Sequence, residues 1–192
     1  MAQQNTNDAL FKSAHSALVF AFHFSGQAYD RPAMNKLAAP SLGSGKGLSG
    51  LDGAGQAGMI RSKVRGLGPR MEAALIARCA PASMPCECRS PCCGGWKTNR
   101  EWFDAITELT DYVRKPLAGS AVNGLMRSLY VQRFFAAKGK RSTIDEIAER
   151  CYINRQTAGI HYSKVSKVLT DLESQSGQMI EIVLRDAGLL EM

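Results

Sequence analysis

The stretch TIDEIAERCYINRQTAGIHYSKVSKVL, Thr143 to Leu169, constrains the fold more than any other part of this chain. Thr143 precedes a run of apolar residues at helical spacing, and Glu146 stands three positions further on. That pairing is a capping box, in which each side chain takes the other's otherwise unpaired backbone N–H. A short helix follows with Ile144, Ile147 and Ala148 on one face, and Ala148 is small where a second helix must cross closely. Cys151, Tyr152 and Ile153 form a turn and Asn154 caps the next helix, whose buried stripe is Ala158, Val165, Val168 and Leu169. The spacing predicts two helices joined by a tight turn, a helix-turn-helix. Tyr152 falls where such a turn usually has glycine, and a bulky residue at positive φ costs free energy.

The outer face of the second helix carries Asn154, Arg155, Gln156, Thr157, Gly159, His161 and Lys164. Arginine pairs bidentately with guanine and glutamine with adenine, while threonine meets the thymine methyl. These side chains predict an interface with double-stranded DNA. Arg155, Gln156 and Thr157 are expected at the bases, with Asn154, His161 and Lys164 nearer the phosphates or the groove edge. Gly159 costs helix stability but lets the backbone approach the duplex. The segment resembles the helix-turn-helix domains of response regulators and sigma factors more than it does a homeodomain.

Charge is unevenly placed along the 192 residues, whose formal net charge is +7. Residues 58–100 hold eight basic groups against two acidic, whereas residues 143–192 hold five against eight. The basic middle attracts phosphate and makes binding salt-dependent. Because the helix-turn-helix is itself not basic, Arg61, Lys63, Arg65 and Arg70 are expected to assist it, with Lys138, Lys140 and Arg141 just before the motif.

Hydrophobic residues make up 45% of the chain and aromatic residues only 7%, which suits helices packed through Ala, Leu, Ile and Met. The longest apolar run, Ala17 to Phe24, is too short to span a bilayer. The opening MAQQNTND has no basic start of a signal peptide, so no membrane contact and a cytoplasmic location are expected.

A first helix is expected over Asn7 to Phe24, capped by Asn7 or Asp8. From Ser25 to about Gly58 the chain reads as a flexible linker, since seven of the sixteen residues from Gly43 to Gly58 are glycine. GSGKG at Gly43 to Gly47 is not a phosphate loop, because Pro40 and Gly47 stand where that pattern needs Gly and Ser or Thr. Further helices are expected from Pro69, over Asn99 to Val113, over Ser120 to Ala137, and over Leu172 to Leu190 with a weak point at Ser174 to Gly177. Met179, Ile180, Ile182, Val183 and Leu184 exceed one packed stripe, and either close a core or form a dimer seam, leaving a monomer or a homodimer. The expected division is 1–58, a helix and linker; 59–115, a basic region with a cysteine loop; and 116–192, the helix-turn-helix with a last helix.

Four of six cysteines fall in PCECRSPCC as Cys86, Cys88, Cys92 and Cys93. In a reducing cytoplasm such a cluster favours metal over disulfides, and four thiolates suit structural zinc. Adjacent Cys92 and Cys93 reach one ion only across a sharp turn, for which Pro91 and Gly94-Gly95 are placed; an alternative ligand set uses Cys79 for one of the pair. The expected fold class is mainly α, with a helix-turn-helix and a small cysteine-rich zinc loop.

The run GLSGLDGAGQAGMIRSKVRGLG, Gly47 to Gly68, resembles a segment of the Q-type late-gene antiterminators of lambdoid bacteriophages, with Leu48, Ser49, Gly58, Met59, Ser62 and Lys63 in the matching places. Members of that family carry a cysteine-rich zinc element followed by helices that touch DNA, although with paired C-x-x-C knuckles rather than this compressed spacing. The resemblance implies a phage regulator that engages DNA near a late promoter, loads onto bacterial RNA polymerase and lets it read through terminators. A conventional activator or repressor of initiation, and a DNA-packaging protein like a terminase small subunit, are the alternatives. Catalysis is not expected, since His15, His23 and His161 lie far apart in sequence with no nucleophile pattern or acidic metal cluster.

Overall fold

The computed structural model describes residues 10–24, 50–86, 88 and 93–191. Those residues form seven α-helices and one two-stranded antiparallel sheet, so the chain is mainly helical. Two compact units result. One is assembled from Met1–Leu67 and Gly177–Met192, the other from Gly68–Ser176. This division cuts the sequence at other points than composition suggested.

In the first unit, α1 spans Ala14–His23 and α2 spans Gly50–Arg65, and the two pack together. α1 starts later than expected because Ser13 and Ser16 form the capping box that fixes its first turn; Asn7 and Asp8 lie outside the described residues. Ala17, Leu18, Ala21 and Phe22 form its buried face. α2 occupies Gly50 to Gly58, which the glycine count assigned to a linker; the rest of that linker lies outside the described residues. Each helical glycine costs about 1 kcal/mol relative to alanine. Burial of Ala57, Ile60 and Val64, at helical spacing, offsets that cost. Phe11 meets the Leu189–Glu191 segment in this unit: Phe11 N–H donates to the Leu189 carbonyl at 3.1 Å, and Glu191 N–H donates to the Phe11 carbonyl at 3.2 Å.

The second unit contains α3 (Pro69–Cys79), the β1–β2 hairpin (Ser83–Pro85 and Trp96–Thr98), α4 (Arg100–Tyr112), α5 (Gly124–Phe135) and α6 (Ile144–Cys151). A 3-10 turn at Lys115–Leu117 leads from α4 towards α5. Pro69 starts α3, Asn99 caps α4 through Glu101 N–H, and Asn123 caps α5 through Met126 N–H. α3 packs on α4, α4 on α5 and α5 on α6. Arg78 of α3 donates to both carboxylate oxygens of Glu173, at 2.5 and 3.0 Å, while its guanidinium lies over the rings of Phe134 and Phe135. The strands were not foreseen; three residues each, they pair Met84 with Lys97 at the base of the cysteine loop.

α7 runs unbroken over Arg155–Asp186, its residues up to Ser176 in the second unit and those from Gly177 in the first. The weak point at Ser174 to Gly177 does not interrupt the helix. Ser176 is fully buried and its hydroxyl donates to the Leu172 carbonyl at 2.6 Å, so the helix itself satisfies the one polar group buried there. Beyond it Ile180 and Leu184 are buried, whereas Met179 and Ile182 are exposed. Among the described residues, no helix is long and apolar enough to cross a membrane.

Candidate metal centre and candidate nucleic-acid interface

The cysteine loop is held at its base by Asn99. This buried side chain donates to the Pro81 carbonyl at 2.8 Å, and its backbone N–H donates to the Ala82 carbonyl at 3.0 Å. One residue beyond the strands, Cys86 N–H donates to the Gly95 carbonyl at 2.8 Å. Gly94 and Gly95 both have positive φ, 55° and 82°, a conformation that L side chains adopt at a cost. That tight return brings Cys93 back against the start of the loop. The sulfur atoms of Cys86, Cys88 and Cys93 all lie within 4.8 Å of one another, with Cys88 and Cys93 3.1 Å apart. Hydrogen bonding to Cys88 raises the Cys93 thiol above its ordinary range. Three thiols this close are placed to hold one metal ion. Cys92, the fourth expected ligand, lies outside the described residues. Cys79 is not a member of the group; it is buried at the end of α3, where desolvation pushes its thiol up to about 12 against the opposing pull of Arg78, with Glu173 adding to the rise.

The second candidate site is the junction of α6 and α7. Thr143 and Glu146 exchange both bonds of the capping box: Thr143 N–H to the carboxylate at 2.8 Å, and Glu146 N–H to the hydroxyl at 3.1 Å. Ile147 and Ala148 are buried and Ile144 is half-buried. Tyr152 ends α6 in the left-handed region, φ 54° and ψ 43°, and its side chain is 97% exposed. Ile153 N–H then donates to the Ala148 carbonyl at 3.0 Å, and the Asn154 side chain accepts Gln156 N–H at 2.7 Å to start α7. On α7, Ala158, Val165 and Leu169 are buried, while Val168 is half-buried.

Asn154, Arg155, Gln156, Thr157 and Lys164 are all exposed. Arg155 is paired with Asp145 of α6, Nε to Oδ1 at 2.7 Å, so the first turn of α7 is braced against the helix before it. His161 is a correction to the expected outer face. It is buried, its ring meets Tyr130 edge-on with centroids 6.2 Å apart, and desolvation, with Lys164 nearby, lowers its pKa. The sequence carried the signal: His161 stands three residues after Ala158 and four before Val165, which puts it on their stripe.

Arg61, expected to assist at DNA, has a partner inside its own unit. Its Nε donates to the Ala21 carbonyl at 2.9 Å and its guanidinium lies over the Phe22 ring, so it closes the end of α1 within the first unit. Lys63 and Arg65 are exposed in that same unit. Sequence reasoning missed an open groove of about 1060 Å³ in the second unit, at the corner between α4 and α5, where Arg70, Arg114, Lys115 and Arg127 converge. Those four residues are spread over 58 positions of chain, and only the packing of α3, α4 and α5 gathers them. No family model matches the chain, and no curated protein matches it.

Proposed function

We propose that the protein is a sequence-specific DNA-binding transcription regulator in which α6 and α7 act as a helix-turn-helix and the first turns of α7 enter the major groove. The observation that carries this reading is the exposed polar run Asn154 to Thr157, at the start of a helix whose opposite face is buried through Ala158, Val165 and Leu169. A helix presented by its N-terminal turns, backed by a short capped helix, is the geometry that reads base edges. Arg155, Gln156 and Thr157 meet the bases; Asn154 and Lys164 lie nearer the phosphates. Asp145 orients Arg155 before DNA arrives. The cysteine loop holds zinc as a structural ion through Cys86, Cys88 and Cys93, with Cys92 as the fourth ligand. Sulfur atoms around tetrahedral zinc stand about 3.8 Å apart for bonds of about 2.3 Å, close to the spacing the loop already has. The likeness of Gly47–Gly68 to the Q-type antiterminators makes late-gene antitermination, with bacterial RNA polymerase as partner, the narrower form of this reading.

Selection of bound sequences from a random duplex pool tests the DNA reading. An enriched site that loses preference at one base in Arg155→Ala, at a cost of about 1–3 kcal/mol, supports it. Equal weakening on every sequence assigns Arg155 to the backbone instead. Transcription through a terminator separates the narrower readings, since antitermination raises read-through at constant initiation. Protein that carries no metal as isolated, and melts identically with and without chelator, removes the zinc.

A further inference from the structure

The second unit needs cations that the α6–α7 junction does not supply. Asp145, Glu146 and Glu149 of α6 are exposed, and residues 143–192 hold more acidic than basic groups. A surface that meets a polyanion must recover this charge elsewhere.

The groove at the α4–α5 corner has the means. Arg127 of α5 reaches back, its Nε donating to the Thr110 carbonyl at 3.3 Å and one terminal nitrogen to the Val122 carbonyl at 3.0 Å. Two fixed bonds hold the guanidinium at the groove wall with its other terminal nitrogen uncommitted. Arg70 lies over the Tyr112 ring, 5.3 Å from its centroid, which orients a second guanidinium without neutralising it. Arg114 and Lys115 are exposed at the rim, and none of the four takes part in an ion pair among the described residues. Glu108 and Asp111 line the same groove, leaving a surplus of two positive charges.

The placement of the groove on α7 decides what it binds. Val168 lines it. Val168 follows Thr157 by eleven residues and Lys164 by four, so at 100° per residue all three lie within about 40° of one stripe of the helix. The groove therefore borders the exposed face of α7 at half-buried Val168, about 16 Å along the axis from Thr157. A major groove is about 12 Å wide, so a helix whose first turns lie in it has run past a bordering phosphate strand by about 16 Å along its axis.

We propose that the α4–α5 groove binds the phosphodiester backbone of the duplex that α7 reads, with Arg70, Arg114, Lys115 and Arg127 facing successive phosphates. This rests on the DNA reading of α7 and adds a contact that carries no sequence information. The groove fixes register on the duplex and supplies most of the salt-dependent affinity.

The test uses the full chain, a fluorescent duplex of random sequence, and titrations across a series of salt concentrations. Arg114→Gln with Lys115→Gln removes two exposed charges that make no structural contact, and an unchanged melting curve confirms the fold. The expected result is a slope of log affinity against log salt shallower by about 1.8, with selected and random duplexes weakened by the same factor. The charge-conserving Arg114→Lys keeps the wild-type slope. An unchanged slope in the double variant, in a protein whose site preference Arg155→Ala still alters, overturns the groove proposal and leaves α7 as the reader. Wild-type protein without affinity for any duplex at low salt overturns the DNA reading, and the groove as a backbone contact with it.

Discussion

Replacing Tyr152 by glycine is expected to stabilise the protein, although it deletes the larger side chain. Tyr152 is the one non-glycine residue with positive φ among the described residues, at 54°. An L-residue held in the left-handed region costs about 1–2 kcal/mol, and glycine pays no such penalty. Against that, glycine loses more backbone freedom on folding, about 0.5–1 kcal/mol. Nothing else enters the balance at any size. The tyrosine side chain is 97% exposed, so no apolar burial is lost, and the backbone N–H that ends α6 on the Ala148 and Glu149 carbonyls is kept. Taken at mid-range the net gain is about 0.5–1 kcal/mol, a rise of about 1–4 °C in Tm for a chain of this length. Thermal melts followed by far-UV circular dichroism measure it, with Tyr152→Ala as the control. Alanine keeps the Cβ that causes the strain and loses the same exposed ring, so its Tm stays within about a degree of wild type. A glycine variant that melts at or below wild type, or an alanine variant that drops well below it, refutes the reasoning and shows that the ring is held by something other than solvent.

Gly58→Ala in α2 should stabilise by up to about 1 kcal/mol, because a Cβ there meets nothing within 4 Å; denaturant titration reads the gain. Gly159→Ala has the same open space and the same expected gain, but weakens duplex binding where the backbone of α7 approaches DNA. Glu173→Ala leaves the half-buried Arg78 guanidinium over two phenylalanine rings without its carboxylate, costing about 1–2 kcal/mol in a urea titration. His161 has its folded-state pKa below the unfolded value of about 6.5, so the unfolded chain binds the extra proton first. Its contribution to stability is complete above that pH and is lost as pH falls through it towards the folded pKa. Melts from neutral to mildly acid pH should show this decline, and His161→Gln should flatten it.

What the sequence made legible was local. The Thr143–Glu146 box, the Asn99 cap and the Pro69 start each depend on residues within four positions, and each occurs as the chemistry of the side chains requires. The left-handed turn at Tyr152 was legible for the same reason, since the helix before it and the cap after it leave one residue to reverse direction. The glycine-rich start of α2 was not, because its stability comes from burying Ala57, Ile60 and Val64 rather than from its own propensities. Arg61 has no local signature of its bond to the Ala21 carbonyl, forty positions away. The thiol cluster was legible in composition but not in membership: the spacing left Cys79 as an alternative, and the hairpin base places Cys86 and Cys93 together while α3 keeps Cys79 elsewhere. The Arg78–Glu173 pair joins residues 95 positions apart, and no local pattern announces it.

The bonds between Phe11 and the Leu189–Glu191 segment also bear on how the chain is made. Residues 68–176 form one uninterrupted stretch, able to close as soon as it clears the ribosome. The other unit waits. Phe11 is translated well before its backbone partners near residue 190, so this pairing waits until they arrive. Ordering the ends across that separation costs little more than closing a loop half as long, since the penalty grows only with the logarithm of length. The cost is in time rather than in stability. Until residues 177–192 emerge, Leu18, Phe22 and Ile60 belong to a unit that still lacks its buried Ile180 and Leu184, and during that interval a chaperone has an apolar surface to hold.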